Sequence, residues 1–176
     1  ASLYRKEALK VLETVRRLRS TGHAVVYVSH KLNEFNEIAD TVSVLRDGKK
    51  IWTIPMSELT TSDLQSALRG SRTISQSNVG AAKRASQSTR IAVKNGFQGQ
   101  TSKNAAVALE LRNAYLPRSE SPIHLRVFPG EIVAFTGVLG SGADEVLYGL
   151  AGSECNKGYL KGELFIGANK IKYFGE

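Results

Sequence analysis

One cysteine, Cys155, four prolines and one tryptophan are spread through 176 residues. A lone thiol excludes an internal disulfide framework and a cysteine-rich metal site, and it points to a reducing, cytosolic setting. Apolar runs are short. Stretches such as Ala24 to Val28 and Ile132 to Phe135 fall far below the roughly 20 residues of a membrane-crossing helix. A secretory leader is not expected, because Arg5, Lys6 and Glu7 stand where its apolar region would lie. Acidic residues are missing altogether from Ser71 to Ala106, which holds the cations Arg72, Lys83, Arg84, Arg90, Lys94 and Lys103. Most of the net charge of +8 is thus confined to that stretch. It has a single aromatic residue, Phe97, and no sustained apolar period, so a disordered or loosely held linker is expected. Cations without interleaved aromatics lack the stacking platform of a single-strand binder, which favours a solvated tether over a nucleic-acid arm.

What is present lies on either side. Hydrophobic residues make up 41% and charged ones 23%, near globular averages, so both flanks can bury a core. In the first flank, Ala8, Leu12, Val15 and Leu18 recur at helical spacing and predict a helix from about Leu3 to Arg19, stopped by Gly22. Ala24 to Ser29 is a continuous apolar, β-branched run that predicts a parallel strand buried on both faces. His30 follows, then a helix to about Ala39. Thr41 to Arg46 and Lys49 to Ile54 flank Asp47-Gly48, a two-residue hairpin signal. Thr60 or Thr61 can cap a last helix to about Leu68. Trp52 and Met56 read as packing residues, and His23 and His124 carry no motif.

The second flank predicts strands over Val107 to Asn113, Ile123 to Phe128 and Ile132 to Thr136, with Pro129-Gly130 as a turn. A helix follows from about Ala143 to Leu150, then a hairpin from Leu160 to Tyr173 around Ala168-Asn169. Between the third strand and the helix stands Gly137-Val138-Leu139-Gly140-Ser141-Gly142-Ala143-Asp144. In the phosphate-loop pattern the glycines let backbone N–H groups wrap a phosphate chain, a lysine reaches the outer phosphates, and a Ser/Thr hydroxyl holds magnesium. Here the glycines remain, Ala143 stands for the lysine and Asp144 for the hydroxyl. Gly137, Gly140, Ser141 and Gly142 are therefore candidate anion-binding residues in a degenerate loop, the alternative being a tight turn. Asp144 and Glu145 also suit a helix N-terminus without any ligand.

The run Val25 to Ile51, "VVYVSHKLNEFNEIADTVSVLRDGKKI", resembles the strand, switch histidine, helix and hairpin that close an ATP-binding cassette (ABC) ATPase domain. Pro129 to Gly152, "PGEIVAFTGVLGSGADEVLYGLAG", resembles the entry strand, phosphate loop and helix that open one. The nearest likeness is to the double-cassette ATPases of bacterial ribose, galactose and xylose importers. The resemblance implies an α/β fold of partial P-loop NTPase domains: residues 1–70 as a parallel-sheet αβα tail of the first cassette, 71–106 as the linker, and 107–176 as the β-rich head of a degenerate second cassette.

It further implies that His30 is the switch histidine, orienting water at a γ-phosphate. Tyr115 would stand where the family places an aromatic on adenine, although it is equally an ordinary strand-end residue. The family's cofactors are ATP and Mg2+. Its partners are membrane permease subunits, a solute-binding protein and the second cassette, on the cytoplasmic face of the bacterial inner membrane. No segment supplies the first cassette's phosphate loop, its signature motif or its acidic strand, so the chain by itself is expected to be catalytically silent. The rival readings are a non-catalytic interaction module and a basic nucleic-acid-binding protein acting through the linker.

Overall fold

The computed structural model describes residues 2–69, 106–117, 119–152 and 160–171. The expectations for the basic linker, for Cys155 and for Tyr173 fall outside these. Helix α1 (Ser2–Ser20) leads to strand β1 (Val25–Val28), the single-turn helix α2 (Leu32–Phe35), strands β2 (Thr41–Arg46) and β3 (Lys49–Pro55), a 3-10 turn (Met56–Glu58) and helix α3 (Thr61–Arg69). Strands β4 (Leu109–Tyr115), β5 (Ile123–Val127) and β6 (Ile132–Gly137), helix α4 (Ala143–Ala151) and strands β7 (Lys161–Ile166) and β8 (Asn169–Ile171) follow.

Among the described residues two four-stranded sheets form, the first mixed and the second antiparallel throughout. One has the order β1-β6-β2-β3, the other β5-β4-β7-β8. The first crosses the linker: β6 pairs in parallel with β1 on one side and with β2 on the other, while β3 closes the edge antiparallel to β2. Strand β6 is buried at all six positions, as its unbroken apolar run requires of a central strand. Strand β1 is only half-buried throughout, unlike the expectation of burial on both faces. The cause is topological: among the described residues β1 is an edge strand, paired on one side with β6.

Local chemistry accounts for the turns. Asp47 and Gly48 have φ of 51° and 73°, both positive as a type I′ hairpin demands. Gly22, at φ 84°, ends α1 and sends its N–H to the carbonyl of Arg19. The Thr60 hydroxyl accepts the N–H of Asp63 and donates back to the Asp63 carboxylate, a reciprocal cap for α3. The second helix is one turn rather than the nine residues expected, because Ile38 and Ala39 turn back onto the carbonyl of Phe35.

Three apolar clusters fill the interior, and β6 supplies each of them. Ile132 packs with Leu12, Val15 and Ile38; Ala134 with Phe35, Val42, Val44, Trp52 and Leu64; Val133 and Phe135 with Leu45, Leu125, Val127 and Val146. Of the stripe read on α1, Leu12 and Val15 are buried, whereas Leu18 lies at the rim, 36% exposed.

A carboxylate pair sits where β6 enters the sheet. Glu131 accepts the N–H of Phe128 at 2.9 Å and faces the Thr41 hydroxyl and the Asp40 charge. Burial, and then Asp40, push its pKa up, against the hydrogen bond from Phe128. A carboxyl raised in the folded state binds its proton more tightly there than in the unfolded chain, so its contribution is favourable at low pH and is lost as pH rises through the folded value. Glu131→Gln keeps an acceptor for Phe128 and removes the charge. It should flatten the pH dependence of stability, gaining on the wild type as pH rises from the carboxylate range to neutrality. Urea unfolding across that range checks this, and a variant that loses ground at neutral pH would refute it.

Candidate functional site

The end of β1 and the end of β6 carry the residues singled out from the sequence. Because β1 and β6 run parallel in register, Val28 beside Phe135, their carboxyl ends release the chain at the same edge, where open α/β sheets gather ligands. Ser29 donates its N–H to Phe135 O, and the next residue, His30, places Nδ1 3.3 Å from the carbonyl oxygen of Gly137. A carbonyl only accepts, so this bond puts the proton on Nδ1 and leaves Nε2 outside it. The imidazole itself is exposed. The histidine and the glycine loop, read from opposite flanks, thus meet within hydrogen-bond distance.

The turn bearing His30 is held from below by Glu34, which accepts hydrogen bonds from the Ser29 hydroxyl at 2.6 Å and the Tyr27 hydroxyl at 3.1 Å and pairs with Lys31 at 3.2 Å. Burial alone would raise the Glu34 carboxyl, but the hydrogen bonds from Ser29, Lys31 and Tyr27 outweigh it and hold the group below its ordinary range. Burial and the same carboxylate push Tyr27 up to about 12. This network has no separate motif. A Glu on the first turn after a Ser-bearing strand end is the only signal for it.

The glycine loop has the backbone of an anion nest. Gly140 and Gly142 take φ of 77° and 98°, a region costly for residues with a Cβ. Gly142 is the N-cap of α4 and offers no side-chain cap, so the first N–H groups of that helix are left to an outside acceptor. Close packing fixes the remaining glycine: a Cβ on Gly137 would collide with Ser141 Oγ and the Leu45 carbonyl. One on Gly142 would meet Leu116. Ser141 is 2% exposed and its carbonyl accepts the N–H of Gly48 of the β2–β3 hairpin, which ties the loop to that hairpin.

The side chains do not complete a nucleotide cradle. Ala143 is buried and brings no cation, and α4 opens with Asp144 and Glu145 where a hydroxyl for magnesium would be needed. Among the described residues no group of three or more His, Cys, Asp or Glu is placed to hold a metal ion. The loop thus lacks the lysine and the hydroxyl of the phosphate-loop pattern and carries carboxylates in the first turn of the helix instead. Tyr115 is the last residue of β4, 41% exposed. Its neighbour Leu116 packs against the loop at Gly142.

The loop tip differs in character, with Val138 44% and Leu139 87% exposed. His23 bonds the Thr21 hydroxyl and His124 accepts the N–H of Asn113.

Comparison with known proteins identifies relatives along nearly the whole chain. The xylose import ATP-binding protein XylG of Brucella abortus (strain 2308) is 30% identical over 179 residues, covering 98% of this chain and 31% of that protein. The ribose import ATP-binding protein RbsA of Caldanaerobacter subterraneus subsp. tengcongensis is 30% identical over 166 residues, covering 93% of this chain and 29% of that protein. The chain thus spans less than a third of the length of these curated relatives. No family model matches it, and no solved structure does.

Proposed function

We propose that this chain, a homologue of the ATP-binding subunits of ABC-type sugar importers, joins the tail of a first cassette, residues 1–70, through the basic stretch to the head of a degenerate second cassette, residues 107–176. The observation that supports this most is the strand, glycine loop and helix unit of β6 and α4, with His30 bonded to the loop's first carbonyl. A protein containing both cassettes would hydrolyse ATP, with Mg2+, to drive uptake of a sugar or sugar-like solute. It would work with membrane permease subunits and a solute-binding protein at the cytoplasmic face of the inner membrane. No helix among the described residues is long and apolar enough to cross a membrane.

In this role His30 is the polar side chain that a parallel sheet delivers to the phosphate end of the site. The loop supplies backbone N–H donors and the positive end of α4, but Asp144 opposes an incoming phosphate chain. A unit charge a few ångströms from a phosphate costs on the order of 1–4 kcal/mol at surface-like screening unless magnesium intervenes. Nucleotide binding without the metal is therefore weak. Calorimetric titration of the chain with ATP in the absence of magnesium should give an affinity poorer than micromolar, and Asp144→Asn should tighten it about five-fold or more, the lower end of that range. Micromolar binding by the wild type would overturn this reading of the loop.

The exposure of Val138 and Leu139 at the loop tip favours a second reading, in which the degenerate loop serves as a protein-contact scaffold. Permease binding that is indifferent to ATP and lost on Leu139→Asp would support it.

A further inference from the structure

The backbone on either side of His30 is fixed by a single hydroxyl. Ser29 Oγ donates to Glu34 Oε2 at 2.6 Å and accepts the N–H of Lys31 at 3.1 Å, so it spans His30 from the residue before to the residue after. Ser29 N–H is given to Phe135 O at 3.2 Å, which ties the same residue to β6. A hydroxyl has one proton to donate. It stays aimed at Lys31 as an acceptor only if that proton has a constant destination, and Glu34 supplies it. The half-buried carboxylate takes the Tyr27 hydroxyl on the same oxygen at 3.1 Å and pairs with Lys31 Nζ through the other at 3.2 Å. These bonds hold Glu34 below its ordinary range, so at neutral pH it is ionised and only accepts. Its own N–H returns to Lys31 O at 3.1 Å and closes the turn.

We propose that Ser29 and Glu34 are positioning residues for His30: the clamp they form holds the imidazole against Gly137 O, so that Nδ1 carries the proton and Nε2 is the nitrogen turned away from the backbone. Ser29 is buried and acts through the main chain rather than on a ligand. The tautomer of a histidine is set by the bond its other nitrogen makes, and that bond persists here only while the turn keeps its shape. A side chain whose surroundings lock its direction costs less to order when a ligand arrives. The use made of Nε2 rests on the role proposed above for His30, whereas the positioning does not. The two fail separately, since nucleotide affinity tests the first and the tautomer of His30 the second.

The test reads that tautomer in the full chain with 15N-labelled histidine rings. The Nδ1 and Nε2 resonances of His30, assigned by their loss in His30→Asn, are recorded at about pH 8.5, above the ordinary histidine range. The wild type should show the Nδ1–H form in excess. Glu34→Ala and Ser29→Ala should each lower the ratio of Nδ1–H to Nε2–H about five-fold, the equivalent of one hydrogen bond, while the resonances of His23 and His124 stay in place. Ser29→Thr keeps the hydroxyl and should retain the wild-type ratio. Glu37→Gln removes a carboxylate from an exposed pair with Arg16 and should leave the ratio unchanged. A wild type in the Nε2–H form, a ratio that survives both alanine substitutions, or movement of all three histidines together in both variants overturns the proposal.

Discussion

Phe135→Ala is expected to lower the free energy of unfolding by about 3–5 kcal/mol, the range for removing a fully buried aromatic side chain. Phe135 has no solvent exposure and sits on the central strand among Leu45, Val127 and Val146, residues from both flanks of the chain. Its loss would leave a cavity that β6 cannot collapse around, because β6 is held in register on both sides. Since small domains hold only about 5–15 kcal/mol in total, the variant should unfold at markedly lower urea and expose both flanks together. A single transition, shifted as a whole, is the expected trace. A loss under about 1 kcal/mol would mean that β6 does not occupy the centre of the sheet.

Asp40→Ala carries the next largest effect, about 2–3 kcal/mol. Its carboxylate accepts from two directions: the Ile132 N–H at 2.9 Å, and Arg19 Nη2 at 2.6 Å. Ile132 is fully buried, so without Asp40 its N–H has no replacement from water, and an orphaned buried donor costs more than a typical bond contributes. Arg19 is a third exposed and regains solvent, so the ion pair itself adds little. Burial raises the Asp40 pKa in spite of the bonds from Ile132 and Arg19, which makes the geometry of acceptance, rather than the charge, the source of the effect. Asp40→Asn offers a single oxygen to two donors and should fall between wild type and Ala. Denaturant unfolding of the three proteins at neutral pH tests the order. Equal stability of all three would show that the contact at the strand entrance is dispensable.

The local pattern was legible where one force dominates. Asp47-Gly48 predicted a hairpin because two successive positive φ angles admit few residue pairs, and Thr41–Arg46 and Lys49–Pro55 flank it as read. The apolar run Ile132–Thr136 predicted a strand, and Ile132–Gly137 is one. The glycine loop and His30 were each visible, from spacing and from resemblance to a known family. Their contact was not, because no periodicity in either flank states that a strand from one slots between two strands of the other. Long-range pairing is decided by which edges are left open, and the same apolar run that predicts β1 cannot say whether it will be central or marginal. The Asp40 and Glu34 networks were hidden for a related reason. A carboxylate looks like a solvated residue until the donors that surround it are brought in from distant parts of the chain.

The strand order has a consequence for synthesis. On the ribosome, β1 and β2 emerge well before the segment that must lie between them, and their facing edges stay open until Gly137 has cleared the exit tunnel. At about 5–20 residues per second that wait lasts on the order of 5–20 s, long enough for a neighbouring nascent chain or a chaperone to find the opening first. The basic stretch is translated during that interval and lengthens it in proportion to its own length.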